Sequence, residues 1–170
     1  MSEAQVRERR MRGFAAYAAL EALPMPAIAV VQGPALGSGC EIAAACDFIV
    51  ATPRASFRTP EALRGTVGAT QRLPRILGKR LAKDLMFTGR TLSAEEAREA
   101  GLVARLVSAA DLDSNLEEIK KTILASPRTS LRLAKRCVDR GVELDPKGAL
   151  DSEIAALEEQ LAAGHWMGKT

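Results

Sequence analysis

The chain has 170 residues, of which 47% are hydrophobic and 26% charged, and its 24 basic and 21 acidic side chains leave a formal net charge of +3. A chain of this length and aliphatic content can bury a core, which excludes an intrinsically disordered protein. Its longest apolar runs are far shorter than the roughly 20 residues of a membrane span, and aromatic residues make up only 4%, too few for a base-stacking surface.

The first part of the chain alternates helical and extended patterns. Ser2 can cap an alanine-rich helix, which Pro24 and Pro26 end. Two continuous apolar segments, 27–31 and 48–51, are typical of strands buried on both faces. The predicted helix, strand, turn, helix, strand and extended segment cover residues 4–23, 27–31, 33–39, 40–45, 48–51 and 55–57.

The remainder of the chain is predominantly helical. Ser93 and Glu96 form a capping-box pattern at the start of a helix that Gly101 closes. A second start signal is Asp145 followed by Pro146. The other predicted helices cover residues 70–77, 79–87, 111–124, 130–140 and 146–163, and a last strand is predicted over 102–107.

The three cysteines are odd in number and include no Cys-x-x-Cys pair, which indicates neither a disulfide framework nor a zinc site. We expect them to be small buried side chains, and we expect no metal, since His165 is the single histidine. No secretory apolar segment follows Met1, and Glu3 and Glu8 interrupt the nearby arginines as they would not in a transit peptide. These features favour a cytoplasmic protein.

A glycine-rich turn, residues 33–39, follows a predicted strand and opens a predicted helix. Amides at such a helix start can bind a phosphate or a developing oxyanion, or the turn can simply be tight. Cys40 and Glu41 stand where a P-loop has Lys and Ser or Thr. Glycines directly flank Ser38, which excludes a nucleophile elbow, and Ile42 replaces the last glycine of a dinucleotide fingerprint.

The segment Ala-Ile-Ala-Val-Val-Gln-Gly-Pro-Ala-Leu-Gly-Ser-Gly-Cys-Glu-Ile-Ala-Ala-Ala-Cys-Asp, residues 27–47, resembles the signature of the crotonase (enoyl-CoA hydratase/isomerase) superfamily. Later blocks resemble this family in the same order, and the likeness runs from about residue 23 to residue 140. These blocks are residues 55–61, 70–75, 85–90 and 94–103.

This resemblance implies an α/β fold in which a spiral of βα units is followed by C-terminal helices that form trimers or hexamers. It divides the chain into a crotonase-like core, residues 1–107, and a helical trimerisation region, residues 108–170. In the family, a loop that carries one oxyanion N–H precedes a helix resembling residues 2–23. We therefore expect an N-terminally truncated core.

The resemblance also implies an activity, the addition of water to an α,β-unsaturated acyl-CoA thioester. The backbone N–H of Ser38 would polarise the thioester carbonyl, Glu41 would act as the base on water, and Glu61 would protonate the α-carbon. The segment 65–70 is shorter than in the family, and Gly68 best matches the glycine that helps to place the water. The residues implied to contact substrate are Ala35, Leu36, Gly37, Pro60 and Gly68.

Coenzyme A enters this reaction as part of the substrate, so we expect no separate cofactor. We also expect no membrane partner and no nucleic-acid partner, because the arginines between residues 7 and 12 are typical of a solvated helix face. Three alternatives stay open: a crotonase-like fragment that only binds or oligomerises, an isomerase that relies on Glu61 alone, and an RNA-binding role for the arginine cluster.

Overall fold

The computed structural model describes residues 1–164, so the predicted surface or interface packing of His165 lies outside the described residues. Helices α1 to α7 span Glu3–Glu21, Ser38–Ala44, Arg72–Thr88, Ala94–Glu99, Leu112–Ala125, Arg128–Gly141 and Pro146–Ala162. Strands β1 to β6 span Ile28–Val31, Pro34–Leu36, Phe48–Ala51, Ser56–Arg58, Leu92–Ser93 and Arg105–Leu106, and a 3₁₀ turn spans Ala62–Arg64. Among these helices, none combines the length and the apolar character that crossing a bilayer requires.

Two three-stranded sheets form the β structure. In the first, β3 lies between β1 and β6 and runs parallel to both, with Ile28 opposite Phe48. In the second, β4 lies between β2 and β5, parallel to β2 and antiparallel to β5. The central strands carry fully buried side chains, Val50 on β3 and Phe57 on β4. Strand β3 is thus packed on both faces, as its apolar sequence predicts, whereas only the middle residue of β4 is buried.

The structure differs from the sequence prediction at three strands, one of which is the short β5, an unpredicted strand that pairs with β4. The predicted turn 33–39 contains β2, a strand of three residues whose pairing with β4 is a tertiary contact that the local pattern does not show. The predicted strand 102–107 pairs only at Arg105–Leu106. The first residues of this segment are apolar because the side chains of Leu102 and Val103 fill the core. Their amides donate to the Ala97 carbonyl and do not pair with a strand.

The predicted helix signals are confirmed. Ser2 and Ser93 each form a capping box with the residue three positions later, and Asp145 accepts a hydrogen bond from Gly148 N–H at the start of α7. The break expected at Gly78 is a kink within α3, where this glycine has φ +75° and ψ 157°. A side chain would strain this left-handed backbone, so the glycine marks the bend.

The contacts within the chain define two compact units. The first comprises Met1–Leu23 and Ala27–Asn115, and the second comprises Pro24–Pro26 and the chain from Leu116 onward. The first unit holds one apolar cluster to which the strands, α2, α3 and α4 contribute; its fully buried members include Ile49, Phe57, Leu73, Leu92 and Val103. In the second unit α6 and α7 pack together, bury Leu133 and Ala156, and share ion pairs.

The Ser93 cap gives a test of the local helix signal. Ser93→Ala is expected to lower the free energy of unfolding by about 1 kcal/mol, because the Glu96 N–H then loses the hydroxyl that it contacts at 3.1 Å. Ser93→Thr retains a hydroxyl and should lose less than about 0.5 kcal/mol. Urea unfolding followed by circular dichroism measures both. An equal loss in the two variants would contradict the capping explanation.

Candidate active site

A cleft of about 640 Å³ opens in the first unit at the start of α2. Side chains of α1, the end of β2, the start of α2 and the loop around the 3₁₀ turn line it. Six residues that the sequence singles out are brought together here: Leu36, Gly37, Ser38, Glu41, Glu61 and Gly68. Ala35 and Pro60 are buried, and neither is among the residues that line the cleft.

Glu41 is held almost completely inside the protein, with 6% of its surface exposed. Its Oε1 accepts a hydrogen bond from Ala69 N–H, and its Oε2 lies 3.2 Å from Arg72 Nη1. A buried carboxylate needs such partners, since an uncompensated charge would be expensive to remove from water. The first turn of α2 therefore presents Glu41 in a fixed orientation to the cleft.

Ala69 reaches Glu41 through an unusual backbone conformation. Its φ is +58°, and it is the one non-glycine residue with positive φ in the part of the chain that the structure describes. The left-handed conformation costs roughly 1–2 kcal/mol for a residue with a Cβ. Its N–H is turned toward the carboxylate, so the loop holds a locally unfavourable shape at the point where it contacts Glu41.

Arg72 links Glu41 to α1. Two guanidinium nitrogens each lie 2.6 Å from Glu21, and the guanidinium carbon lies 5.5 Å from the centre of the Tyr17 ring. The hydrogen bond with Glu21, followed by the contact with Glu41, raises the pKa of Arg72 above its ordinary value. Arg72 therefore stays charged and fixes the C-terminal part of α1 against the site.

Glu61 stands at the start of the 3₁₀ turn, between two glycines. A Cβ on Gly37 would lie 2.7 Å from Glu61 Oε1, and a Cβ on Gly68 would lie 2.8 Å from Glu61 Cγ. The Oε2 atom of Glu61 is buried and has no hydrogen-bond partner among the described residues. The two glycines thus leave the space that the Glu61 side chain occupies. Unlike Glu41, this carboxyl has no ion-pair partner within residues 1–164.

The start of α2 presents backbone amides to the same cleft. Gly37 has φ +53° and precedes the helix, and the first intrahelical bond runs from Glu41 N–H to Gly37 O at 3.0 Å. The amides of Ser38, Gly39 and Cys40 come before that bond and have no intrahelical acceptor. Ser38 has no positive φ, so its Cβ is compatible with this position. These amides can hold negative charge that develops on a bound carbonyl.

Cys40 lies beside both glutamates but is suited to packing. It is buried in the core cluster, and burial, then the negative charges of Glu41 and Glu61, raises the pKa of its thiol to about 12. A thiol that stays protonated is a poor nucleophile and a poor metal ligand. No group of three or more potential metal ligands occurs in residues 1–164.

Several residues of the site were not identified from the sequence. Arg9, Arg10 and Tyr17 line the cleft, although the arginines are predicted to lie on a solvated face. Arg72 belongs to a recognised block without an assigned role, and Ala69 carries no chemical signal at all. The spacing of Arg9, Arg10, Gly13 and Tyr17 along one helix face is the signal that could have placed α1 at the cleft.

Gly37 offers a test of this geometry. Gly37→Ala is expected to lower the free energy of unfolding by about 1–2 kcal/mol, because a residue with a Cβ is strained at φ +53°. Gly39→Ala is the matched control, since no atom lies within 4 Å of its added Cβ. Because alanine favours a helix, the control should gain up to about 1 kcal/mol. Urea unfolding of both variants checks this, and equal losses would contradict the assigned conformation.

The comparisons with known proteins agree with this architecture. The enoyl-CoA hydratase/isomerase family profile matches residues 2–166. The short-chain-enoyl-CoA hydratase of Clostridium acetobutylicum is 37% identical over 162 residues, which cover 94% of this chain and 62% of that protein. The crotonyl-CoA hydratase of Syntrophomonas wolfei is 36% identical over 159 residues, or 92% of this chain and 61% of the relative.

A crystal structure of an enoyl-CoA hydratase from Bacillus anthracis superposes with a TM-score of 0.89 at 38% identity, covering 93% of this chain and 62% of that one. The chain thus spans about three fifths of the length of these relatives. The match of the family profile and the superposition concern nearly the whole chain. The chain therefore belongs to the enoyl-CoA hydratase/isomerase family, and its α/β fold is the crotonase fold.

Proposed function

We propose that this chain forms the catalytic part of an enoyl-CoA hydratase, a lyase that adds water to an α,β-unsaturated acyl-CoA thioester. The observation that carries the proposal is that Glu41, Glu61 and the unbonded amides at the start of α2 line one cleft. The relatives named above are hydratases of acyl-CoA thioesters. Coenzyme A is part of such a substrate, and the proposal includes no other cofactor.

In the proposed reaction, the Ser38 N–H holds the thioester oxygen and stabilises the enolate that forms on it. Glu41 removes a proton from water as the water oxygen bonds to the β-carbon. The electron pair of the carbon–carbon double bond moves to the α-carbon and the carbonyl, and Glu61 delivers a proton to the α-carbon. The product is a 3-hydroxyacyl thioester, and solvent resets the two carboxyl groups.

The surroundings of the two carboxyl groups support this division of roles. Glu41 is paired with Arg72 and the Ala69 amide, which fix its carboxyl group in the orientation that the proposed base needs. Glu61 has a buried oxygen without a partner among the described residues, which suits a group that donates a proton to substrate. Leu36, Gly37 and Gly68 would contact the substrate directly, whereas Ala35 and Pro60 would shape the cleft from behind.

The resemblance to the family places a second oxyanion donor on a loop that precedes a helix like α1. A protein with both donors is expected to be about 10²–10³ times faster than one with the Ser38 donor alone. The proposal therefore assigns to this chain the two acids and one of the two amides.

Replacing either acid tests the reaction. Glu41→Gln and Glu61→Gln should each lower the rate of crotonyl-CoA hydration by about 10²–10⁴, because each removes a positioned proton-transfer group. The rate is measured as the loss of enoyl-thioester absorbance. Glu118→Gln, an exposed change on α5, is the matched control and should leave the rate unchanged. Full activity in either site variant would overturn the proposal.

The same variants separate the alternatives. With a 3-enoyl-CoA substrate, an isomerase that uses only Glu61 would keep its activity in Glu41→Gln, which a hydratase mechanism does not predict. Binding of a thioester without hydration or isomerisation by the unmodified chain would instead indicate the non-catalytic fragment.

We further propose that copies of this chain associate through α7 as trimers or hexamers. Four exposed apolar residues follow one face of this helix at heptad-like spacing; they are Leu150, Ile154, Leu157 and Leu161. Ala156, on another face, is buried within the second unit.

The proposal also places the protein in the cytoplasm. Its three cysteines are all free thiols, which fits a reducing compartment.

The α7 surface predicts a change of mass. Leu157→Glu places a charge in the apolar stripe and should reduce the sedimenting species to a single chain. Ala155→Glu adds the same charge at an exposed position outside the stripe and should leave the assembly intact. Sedimentation velocity distinguishes them. An unmodified chain that already sediments as a monomer would contradict the proposed association.

A further inference from the structure

The face of α1 toward the cleft has a charged end and an aromatic end. Arg9 and Arg10 line the cleft at one end, and Phe14 and Tyr17 line it at the other. Gly13 lies between the arginines and the aromatic residues and has no side chain, so the middle of this helix face leaves space in the cleft. With a rise of about 1.5 Å per residue, Arg9 lies about 12 Å along the helix from Tyr17, the residue that stacks with Arg72.

The two arginines at the charged end have no ion-pair partner among residues 1–164. This distinguishes them from the neighbouring Arg12, which pairs with Glu8 at 2.6 Å on the same helix. It also distinguishes them from Arg72, whose charge is matched by Glu21 and Glu41. Two adjacent cations that line a cleft without an internal anion are suited to a negatively charged ligand.

The balance of charge in the cleft points the same way. Arg9, Arg10 and Arg64 contribute three cations, and Glu41 and Glu61 contribute two acids. Arg72 adds a fourth cation, and its partner Glu21 adds a third acid, so one positive charge remains in excess when this pair is included. The excess positive potential lies toward the first turns of α1, away from the pair of Arg72 and Glu41.

We propose that Arg9 and Arg10 form an anion subsite of this cleft that binds a negatively charged group of the thioester substrate. Two groups have this chemistry: a carboxylate on the acyl chain and the phosphates of the coenzyme. The inference rests on the proposed function, because it assumes a thioester in the cleft. A free guanidinium pair binds such an anion through charge-assisted hydrogen bonds and discriminates against a neutral group in the same place.

The test measures binding with saturated thioesters, which cannot be hydrated, so that it is independent of turnover. The probes are butyryl-CoA, glutaryl-CoA and the corresponding butyryl- and glutaryl-pantetheine thioesters, which lack phosphate. Calorimetry gives their dissociation constants for the unmodified chain and for Arg9→Gln/Arg10→Gln. The matched control, Arg7→Gln/Arg12→Gln, removes the same charge from the same helix at positions that do not line the cleft. Circular dichroism verifies that all three proteins are folded.

Loss of about tenfold or more in affinity is expected for the probe that carries the recognised anion. If that anion is the acyl carboxylate, Arg9→Gln/Arg10→Gln weakens both glutaryl probes and spares both butyryl probes. If it is the coenzyme phosphates, the variant weakens both CoA probes and spares both pantetheine probes. Either pattern, with the control unchanged, supports the subsite.

An equal change for all four probes, no change, or the same loss in the control overturns the anion subsite. Failure of the unmodified chain to bind any of the thioesters overturns both this inference and the proposed function. Binding with the expected pattern but without hydration of crotonyl-CoA would support the subsite and contradict only the hydratase proposal. As a second measurement, the affinity of the recognised probe should fall with rising salt, and a salt-independent affinity would contradict the subsite.

Discussion

The Arg72 guanidinium joins parts of the chain that are far apart in sequence. It holds Glu21 at the end of α1 with two short contacts, reaches Glu41 in α2, and packs on Tyr17. A buried carboxylate such as Glu41 is tolerable only because this cation and the Ala69 amide compensate it. The position of α1, the orientation of Glu41 and the shape of the cleft therefore depend on one side chain.

The second acid, Glu61, is accommodated in a different way, because two neighbouring positions lack side chains. Gly37 and Gly68 each leave room that a Cβ would take from Glu61. Glu41 is thus fixed by charge and hydrogen bonds, whereas Glu61 occupies space that two glycines leave open. Two chemically identical groups in one cleft acquire different surroundings, which is how a pair of carboxyls can take opposite roles in proton transfer.

Local sequence signals predicted much of the fold. The caps at Ser2, Ser93 and Asp145 and the break at Gly78 depend on a few neighbouring residues, and the structure confirms them. Strand β2 was missed because three residues within a glycine-rich segment carry no periodicity, and only pairing with β4 makes them a strand.

The residues of the site also fall into those that local sequence signals predict and those that depend on tertiary packing. Glu41, Glu61 and Ser38 could be named because they stand in contiguous segments that resemble the family, and they line one cleft. Arg72 and Ala69 act across the tertiary structure, where no local pattern reports them, and the arginines of α1 show only that they share a helix face with Gly13 and Tyr17. An arginine on a helix face looks the same in sequence in solvent and beside a cleft, and only the packing of α1 near α2 distinguishes the two.

The left-handed backbone at Ala69 has a consequence for how tightly the carboxylate is held. A glycine at position 69 would adopt this conformation without strain but would also sample many others. The direction of its N–H relative to Glu41 would then be less well defined. Alanine restricts the backbone to fewer conformations, at the cost of the strain of positive φ. The single methyl group of Ala69 thus limits the directions in which this amide can point, although the residue carries no reactive side chain.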